Sequence, residues 1–355
     1  MKKLMILLLS ACMMAAMVPM TAFADDTTTT TGMPVYLALG DSITTGYGLQ
    51  DPTACFAAKV ATAETYTLDN QAVNGMDSTG LKALVTGGTL DTKIASAQLI
   101  TITIGGNDLM GALYKQLATS TGATVAEIQK KLVSGDATMM SEALGAIKTL
   151  STRANLNPIV STYYDNLIAI TKYIRAKNPT ARVLVCTQYN PYKWLAMFGQ
   201  NESVNLMDQC VCVINSAIKL AAPGCYNVVD VYGGFLKSFK NGESSLCNAS
   251  FTNLDFHPNA AGHAKIASLV EVTFAAGSKI NASVSKMTRG TITSSGTATI
   301  APNANKTYTI KAKAGYKISK IIVDGITIKK NTTKTTYTFK NVVSDHTIRA
   351  VFVSK

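Results

Sequence analysis

Histidine, tryptophan and charge are scarce in this chain: three His, one Trp and 15% charged residues among 355. So little charge beside 47% hydrophobic residues excludes a self-repelling, disordered polymer and points to a packed core. Beyond residue 24 no uninterrupted apolar run is long enough to cross a bilayer, which takes about twenty residues. Metal-site spacing is missing too. Cys210-Val211-Cys212 has no second C-x-x-C and no histidine cluster to complete a ligand set. The G-x-S-x-G elbow of the common α/β-hydrolase pattern is absent around Ser42, because position 44 is threonine.

What is present begins with a leader. Lys2 and Lys3, the apolar stretch Leu4 to Val18 and the small-x-small site Ala22-Phe23-Ala24 read as a secretory signal peptide over residues 1–24. A lipobox-like Leu9-Ser10-Ala11-Cys12 offers a competing lipoprotein reading, disfavoured because Met13 to Val18 stay apolar. A secreted or surface-associated bacterial protein, acting as a monomer, is the expectation. Six cysteines follow the leader, Cys55, Cys186, Cys210, Cys212, Cys225 and Cys247, and an exported chain permits disulfides among them. They are expected to be buried or bridged.

The net charge of +12 sits at one end. Residues 279–355 hold fourteen of the 33 Lys and Arg but only two of the 21 acids, Asp324 and Asp345, so they carry the whole excess. That asymmetry marks a boundary near Gly277 and divides the chain into residues 33–276 and 280–355.

In the first part, short apolar runs end in polar turns. Val35 to Leu39 runs into Gly40-Asp41-Ser42, Leu99 to Ile104 into Gly105-Gly106-Asn107-Asp108, and Arg182 to Cys186 into Gln188-Tyr189-Asn190-Pro191. Helical stretches lie between them: Thr124 to Leu132, opened by a capping-box-like Thr124-Val125-Ala126-Glu127, then Ile159 to Lys177, then a closing helix from Asn259 to Phe274. Alternation of strand and helix predicts a mostly parallel sheet covered on both faces, with ligands outside the carboxyl ends of the strands. The polar motifs all fall at those ends.

Those ends carry the parts of a nucleophilic acyl-transfer site. Ser42 sits in a glycine-flanked turn where its hydroxyl can project. Of the three histidines, His346 lies far along the chain, and His263 falls inside the closing helix, where a structural or capping role is expected. His257 precedes Pro258, which holds its backbone extended before the helix starts. Asp255 stands two residues before it. Gly75 can bring a bare backbone N–H to an oxyanion, and Asn107 can add a side-chain amide. Taken singly, each of these is also an ordinary turn residue.

Together, Gly40-Asp41-Ser42, Gly75 after Asn74, Gly105-Gly106-Asn107-Asp108 and Asp255-x-His257-Pro258-Asn259 resemble the SGNH hydrolases, or GDSL esterase/lipase family. The resemblance covers most of residues 33 to 276. It implies a flavodoxin-like three-layer sandwich with no metal and no organic cofactor, and an ester substrate, lipid or acylated carbohydrate. It also implies that Ser42 is the nucleophile and His257 the base, with an oxyanion hole of Ser42, Gly75 and Asn107. One departure stands out. The family commonly places its aspartate three residues before the histidine, where this chain has Leu254. Either Asp255 reaches the imidazole with an adjusted backbone, or a carbonyl orients the ring. The segment from Gly111 to Asn157 is left open between a lid and scaffold helices.

After Gly277 the texture is all-β: alternating apolar residues at Tyr308 to Ala312, Ile318 to Val323, Tyr337 to Phe339 and Ile348 to Phe352, with Asp324-Gly325 as a hairpin turn. Its cadence is similar to short bacterial surface repeats of the internalin B-repeat type. The basic charge leads to an anionic cell-wall polymer or membrane surface as partner, in preference to nucleic acid. A solvated lysine face that keeps strand edges apart is the plainer alternative.

Overall fold

The computed structural model describes residues 32–134, 136–191, 193, 201–240, 246–248 and 255–355. The leader, Cys12 and Leu254 lie outside the described residues.

Five parallel strands form the central sheet: β1 (Val35–Gly40), β2 (Thr67–Asn70), β3 (Ala97–Thr103), β4 (Arg182–Cys186) and β5 (Asn227–Val229). Their order is β2-β1-β3-β4-β5, the flavodoxin-like arrangement. Successive side chains of a strand point to opposite faces, and β1 shows the consequence. Tyr36 and Ala38 pack in one layer with the helices Phe56–Glu64 and Ala260–Ala276. Leu37 and Leu39 pack in the other with Ser78–Thr86, Asp91–Ser96, Arg153–Lys177 and Asn201–Ala221. Both layers are buried, which is why the sequence shows unbroken apolar runs here. Because the strand order reverses between β1 and β3, their carboxyl ends leave a crevice between them.

β2 and β5 were not legible as strands. β2 is a polar edge strand and β5 has only three residues. The capping box at Thr124 is realised: Glu127 N–H donates to Thr124 Oγ1 at 3.3 Å, and Thr124 N–H donates to Glu127 Oε2 at 2.8 Å. It opens the helix Val125–Val133, which lies between the helices Gly106–Thr121 and Ala137–Leu150. These three share a core of their own around Leu117, Ile128, Ala143 and Ile147. All six cysteines after the leader are free thiols, and all but Cys212 are buried. Burial pushes the Cys186 thiol up to about 12. The even cysteine count therefore does not translate into bridges.

The helix Ala260–Ala276 is followed directly by Gly277 and by β6 (Ser278–Val284). The remaining strands are β7 (Gly290–Ile292), β8 (Gly296–Ile300), β9 (Lys306–Ala312), β10 (Tyr316–Val323), β11 (Ile326–Thr332), β12 (Lys334–Phe339) and β13 (His346–Ser354). They form a five-stranded sheet, β11-β10-β13-β6-β8, and a three-stranded one, β12-β9-β7. Ile280, Tyr308, Ile310, Ile318, Ile348 and Phe352 fill the space between them. Asp324 and Gly325 turn the β10–β11 hairpin with φ of 48° and 79°, both left-handed as a type I′ turn requires.

This β module is joined to the first part mainly through Asp345. Its Oδ1 accepts from Asn227 Nδ2 and from the Lys279 N–H, both at 2.7 Å. Its backbone accepts from Gly224 N–H at 2.6 Å and donates to Tyr226 O at 3.2 Å. Burial pushes the Asp345 carboxyl up, and the Lys279 and Asn227 hydrogen bonds oppose that.

Candidate active site

Ser42 opens a single helical turn, Ser42–Thr45, directly after β1. Gly40, at φ 138°, lets β1 pass against β3, since a Cβ there would collide with the Thr103 carbonyl. Asp41 caps the turn by accepting from Ile43 N–H at 3.1 Å, and Thr103 Oγ1 donates to the same oxygen at 2.9 Å. Burial is the main reason that Asp41 is pushed up to about 6, against these hydrogen bonds. The Ser42 N–H heads a helix and so has no partner within it.

His257 reaches Ser42 from the far end of the first part of the chain. Asn259 caps the helix Ala260–Ala276 by accepting from Gly262 N–H at 3.0 Å. Gly262 lets that helix approach the Leu246 carbonyl, with which a Cβ would collide. The Asn248 N–H donates to His257 O at 2.9 Å and completes the clamp. The imidazole is 2% exposed. Its Nε2 lies 2.9 Å from Ser42 Oγ, and its Nδ1 lies 2.5 Å from Asp255 Oδ1. Phe256 stacks on the ring at 4.2 Å between centroids, and Tyr47 tilts against it at 4.7 Å.

Asp255 thus touches the ring despite its short spacing. Its Oδ1 also accepts from the His257 backbone N–H at 3.0 Å, an Asx-type turn that folds the carboxylate back toward the ring two residues on. Asn248 Nδ2 holds the other oxygen at 2.8 Å. Partial burial pushes the carboxyl up, but the His257 hydrogen bond and charge and the Asn248 bond outweigh it, leaving Asp255 below the ordinary value.

Gly75 and Asn107 belong to a loop and a helix start that are tied to the Ser42 turn. Asn74 accepts from Thr45 Oγ1 at 2.6 Å, which ties its loop to the Ser42 turn. Met76 O accepts from Asn107 Nδ2 at 2.8 Å, which ties the same loop to the start of the helix Gly106–Thr121 after β3. Gly75 lies between these two anchors at φ 76°. Asp108 holds the next helix, accepting from Ser78 N–H at 3.0 Å and from Ser78 Oγ at 2.5 Å.

Ser42 and Asn107 open onto a cavity of about 150 Å³. Its walls are largely apolar: Leu109, Met110 and Leu113 from one helix, Ile147 and Leu150 from Ala137–Leu150, and Phe256 beside the histidine. The segment left open between lid and scaffold therefore does two things. It has its own core, and it walls the cavity beside Ser42.

His263 is elsewhere. Its Nδ1 accepts from Phe56 N–H at 3.2 Å and caps a helix whose N-cap residue, Cys55, makes no side-chain cap bond. Burial, with smaller contributions from His257 and Lys59, lowers its pKa to about 4. His346 bonds Asp324 at 2.7 Å within the β module. Among the described residues no group of three or more His, Cys, Asp or Glu is placed to hold a metal. Sequence reasoning missed Asn248 and Thr103. Neither stands in a telling spacing, and only the fold brings Thr103 to Asp41 and Asn248 to Asp255.

The fold and this site define a GDSL/SGNH-type serine hydrolase acting on ester bonds. Residues 38–265 match the model of the GDSL-like lipase/acylhydrolase family, and the chain belongs to that family. Among solved structures, an extracellular lipase from Streptomyces rimosus is 21% identical with a TM-score of 0.50, the match covering 68% of this chain and 99% of that one. Phospholipase A1 from Streptomyces albidoflavus NA297 is 22% identical with a TM-score of 0.49 over the same shares. Comparison with curated proteins gives no match.

Proposed function

We propose that this chain is a secreted serine esterase or lipase that cleaves carboxylic esters with apolar acyl groups, lysophospholipids among them, through an acyl-enzyme intermediate. One observation carries the reading: the hydrogen-bonded line Asp255–His257–Ser42 ends at an apolar cavity.

In this mechanism His257 Nε2 takes the Ser42 proton as Oγ attacks the ester carbonyl carbon. Asp255 holds the Nδ1–H tautomer and stabilises the imidazolium. The oxyanion is received by the Ser42 and Gly75 N–H groups and the Asn107 amide, whose second N–H is not used by Met76. Each such donor is worth about 3 kcal/mol in the transition state. The carbon–oxygen bond to the alcohol breaks as His257 returns the proton to it. Water then attacks the acyl-Ser42 ester and gives its proton to His257, which passes it to Ser42 Oγ as the acyl carbon–Oγ bond breaks and the carboxylic acid leaves.

Hydrolysis of p-nitrophenyl esters from acetate to palmitate, beside acetylated xylan, tests the reading in wild type and Ser42→Ala. Rates should rise along the shorter esters by about fourfold per methylene, the worth of about 0.8 kcal/mol per buried CH₂. Release of acetate from xylan in preference to all acyl esters would select a carbohydrate deacetylase instead. Absence of Ser42-dependent turnover on every substrate would leave a catalytically idle surface-binding protein.

A further inference from the structure

The C-terminal module keeps both of its acids away from its outer surface. Asp345 is spent on Asn227, Lys279 and the joint to the first part. Asp324 accepts from the Thr347 N–H and pairs with His346, and it lies beside Gly224 of the first part. Among the described residues none of the fourteen Lys and Arg side chains of the module is in an ion pair.

The lysines are also paired with one another. Lys320 stands directly across from Lys329 in the five-stranded sheet, and Lys311 directly across from Lys334 in the three-stranded sheet. Like charges opposite each other destabilise a sheet, and here no carboxylate relieves them. Tyr308, Ile310 and Ala312 face inward, so Lys311 faces out, and in the other sheet the inward faces of Ile318 and Ile321 leave Lys329 exposed. The two pairs occupy opposite outer faces of the sandwich. A local cost repeated on both faces marks a surface shaped for a ligand rather than for stability.

We propose that these two outer faces bind a flexible polyol-phosphate polymer that wraps around the module. Ammonium groups meet phosphates as point charges. On the same face as Lys311 and Lys334, but four residues along each strand, the hydroxyls of Thr307 and Thr338, 2.8 Å apart, offer partners to polyol hydroxyls. A flat bilayer meets only one face of a sandwich, and the large apolar side chains that the module exposes, among the described residues, are Met287 and Ile326. Among the described residues its aromatic side chains are buried or half-buried, so none is an open stacking platform for bases. The joint lies at Tyr226 and Asn227, the amino end of the parallel sheet, whereas Ser42 follows the carboxyl end of β1. The polymer site is therefore remote from the catalytic line and serves retention.

Binding of synthetic poly(glycerol phosphate) to the full chain tests this by calorimetry. Affinity should fall more than about tenfold between about 0.1 M and about 1 M salt, where the Debye length shrinks from about 10 to about 3 Å. The variant carrying Lys311→Glu, Lys320→Glu, Lys329→Glu and Lys334→Glu should lose binding more than about tenfold, and the four Gln replacements, which remove the repulsion and so keep the fold, should weaken it similarly. Salt-insensitive binding, unchanged affinity in the Gln variant, or tighter binding to phosphatidylglycerol vesicles or single-stranded DNA than to the polymer would overturn the proposal.

Discussion

One carboxylate oxygen, Asp255 Oδ1, accepts from both the backbone N–H and the ring Nδ1 of His257. A single Asx turn therefore sets the backbone and the imidazole together. Asp255→Asn should lower kcat by about 10³- to 10⁴-fold with little change in KM, because the amide presents a donor where the ring needs an acceptor. Asn248→Ala should cost about tenfold, the worth of one hydrogen bond to a charged group. Steady-state kinetics on one ester check both. Equal, small losses for the two variants would mean that the ring is held by something else.

Ile147 and Leu150 wall the cavity beside Ser42. Replacing both by Ala should reduce kcat/KM on octanoyl esters by about tenfold and leave acetyl esters within about twofold, since only longer chains reach them. A uniform loss on all chain lengths would instead report general damage to the helical insert.

His263 and Asp41 pull stability in opposite directions between about pH 4 and 6.5. The unfolded chain protonates His263 near its ordinary value, whereas burial holds the folded value at about 4. Its contribution is thus complete above about pH 6.5 and lost as pH falls toward 4, about 3 kcal/mol in all. Asp41 is the reverse, because burial raises its folded value to about 6, so the cost of its carboxylate is relieved as pH falls through that value. Urea unfolding near pH 7 and pH 4 checks the pair. Relative to wild type, His263→Gln should gain stability toward acid, and Asp41→Asn should lose it. Parallel pH profiles for all three proteins would contradict both assignments.

Asp345 accepts from Asn227 across the joint and from the Lys279 N–H within its own module. Asp345→Ala should lower stability by about 1 to 3 kcal/mol, because the buried Asn227 amide loses an acceptor, with Ser42-dependent turnover unchanged. Thermal unfolding followed beside an ester assay would show it. Loss of activity at temperatures where the fold persists would tie the module to the catalytic line.

Parts of this were open to reading from the sequence. β1, β3 and β4 were visible because both faces of each are buried, which leaves continuous apolar runs. With only three histidines in the chain, the sequence itself singles out His257. Other parts depend on relationships that no local pattern carries. β2 and β5 are too short or too polar to stand out, and Thr103 meets Asp41 through the register of β1 and β3. The reach of Asp255 depends on turn geometry rather than spacing. Six thiols that an even count would allow to pair are all free.

The central claim is that Ser42 becomes acylated. Rapid quenching during turnover of p-nitrophenyl octanoate, followed by peptide mass spectrometry, measures it directly. An octanoyl adduct on the peptide containing Ser42, absent in Ser42→Ala and strongly reduced in His257→Ala, is the predicted result. Turnover with no adduct, or an adduct on another residue that survives Ser42→Ala, would contradict it.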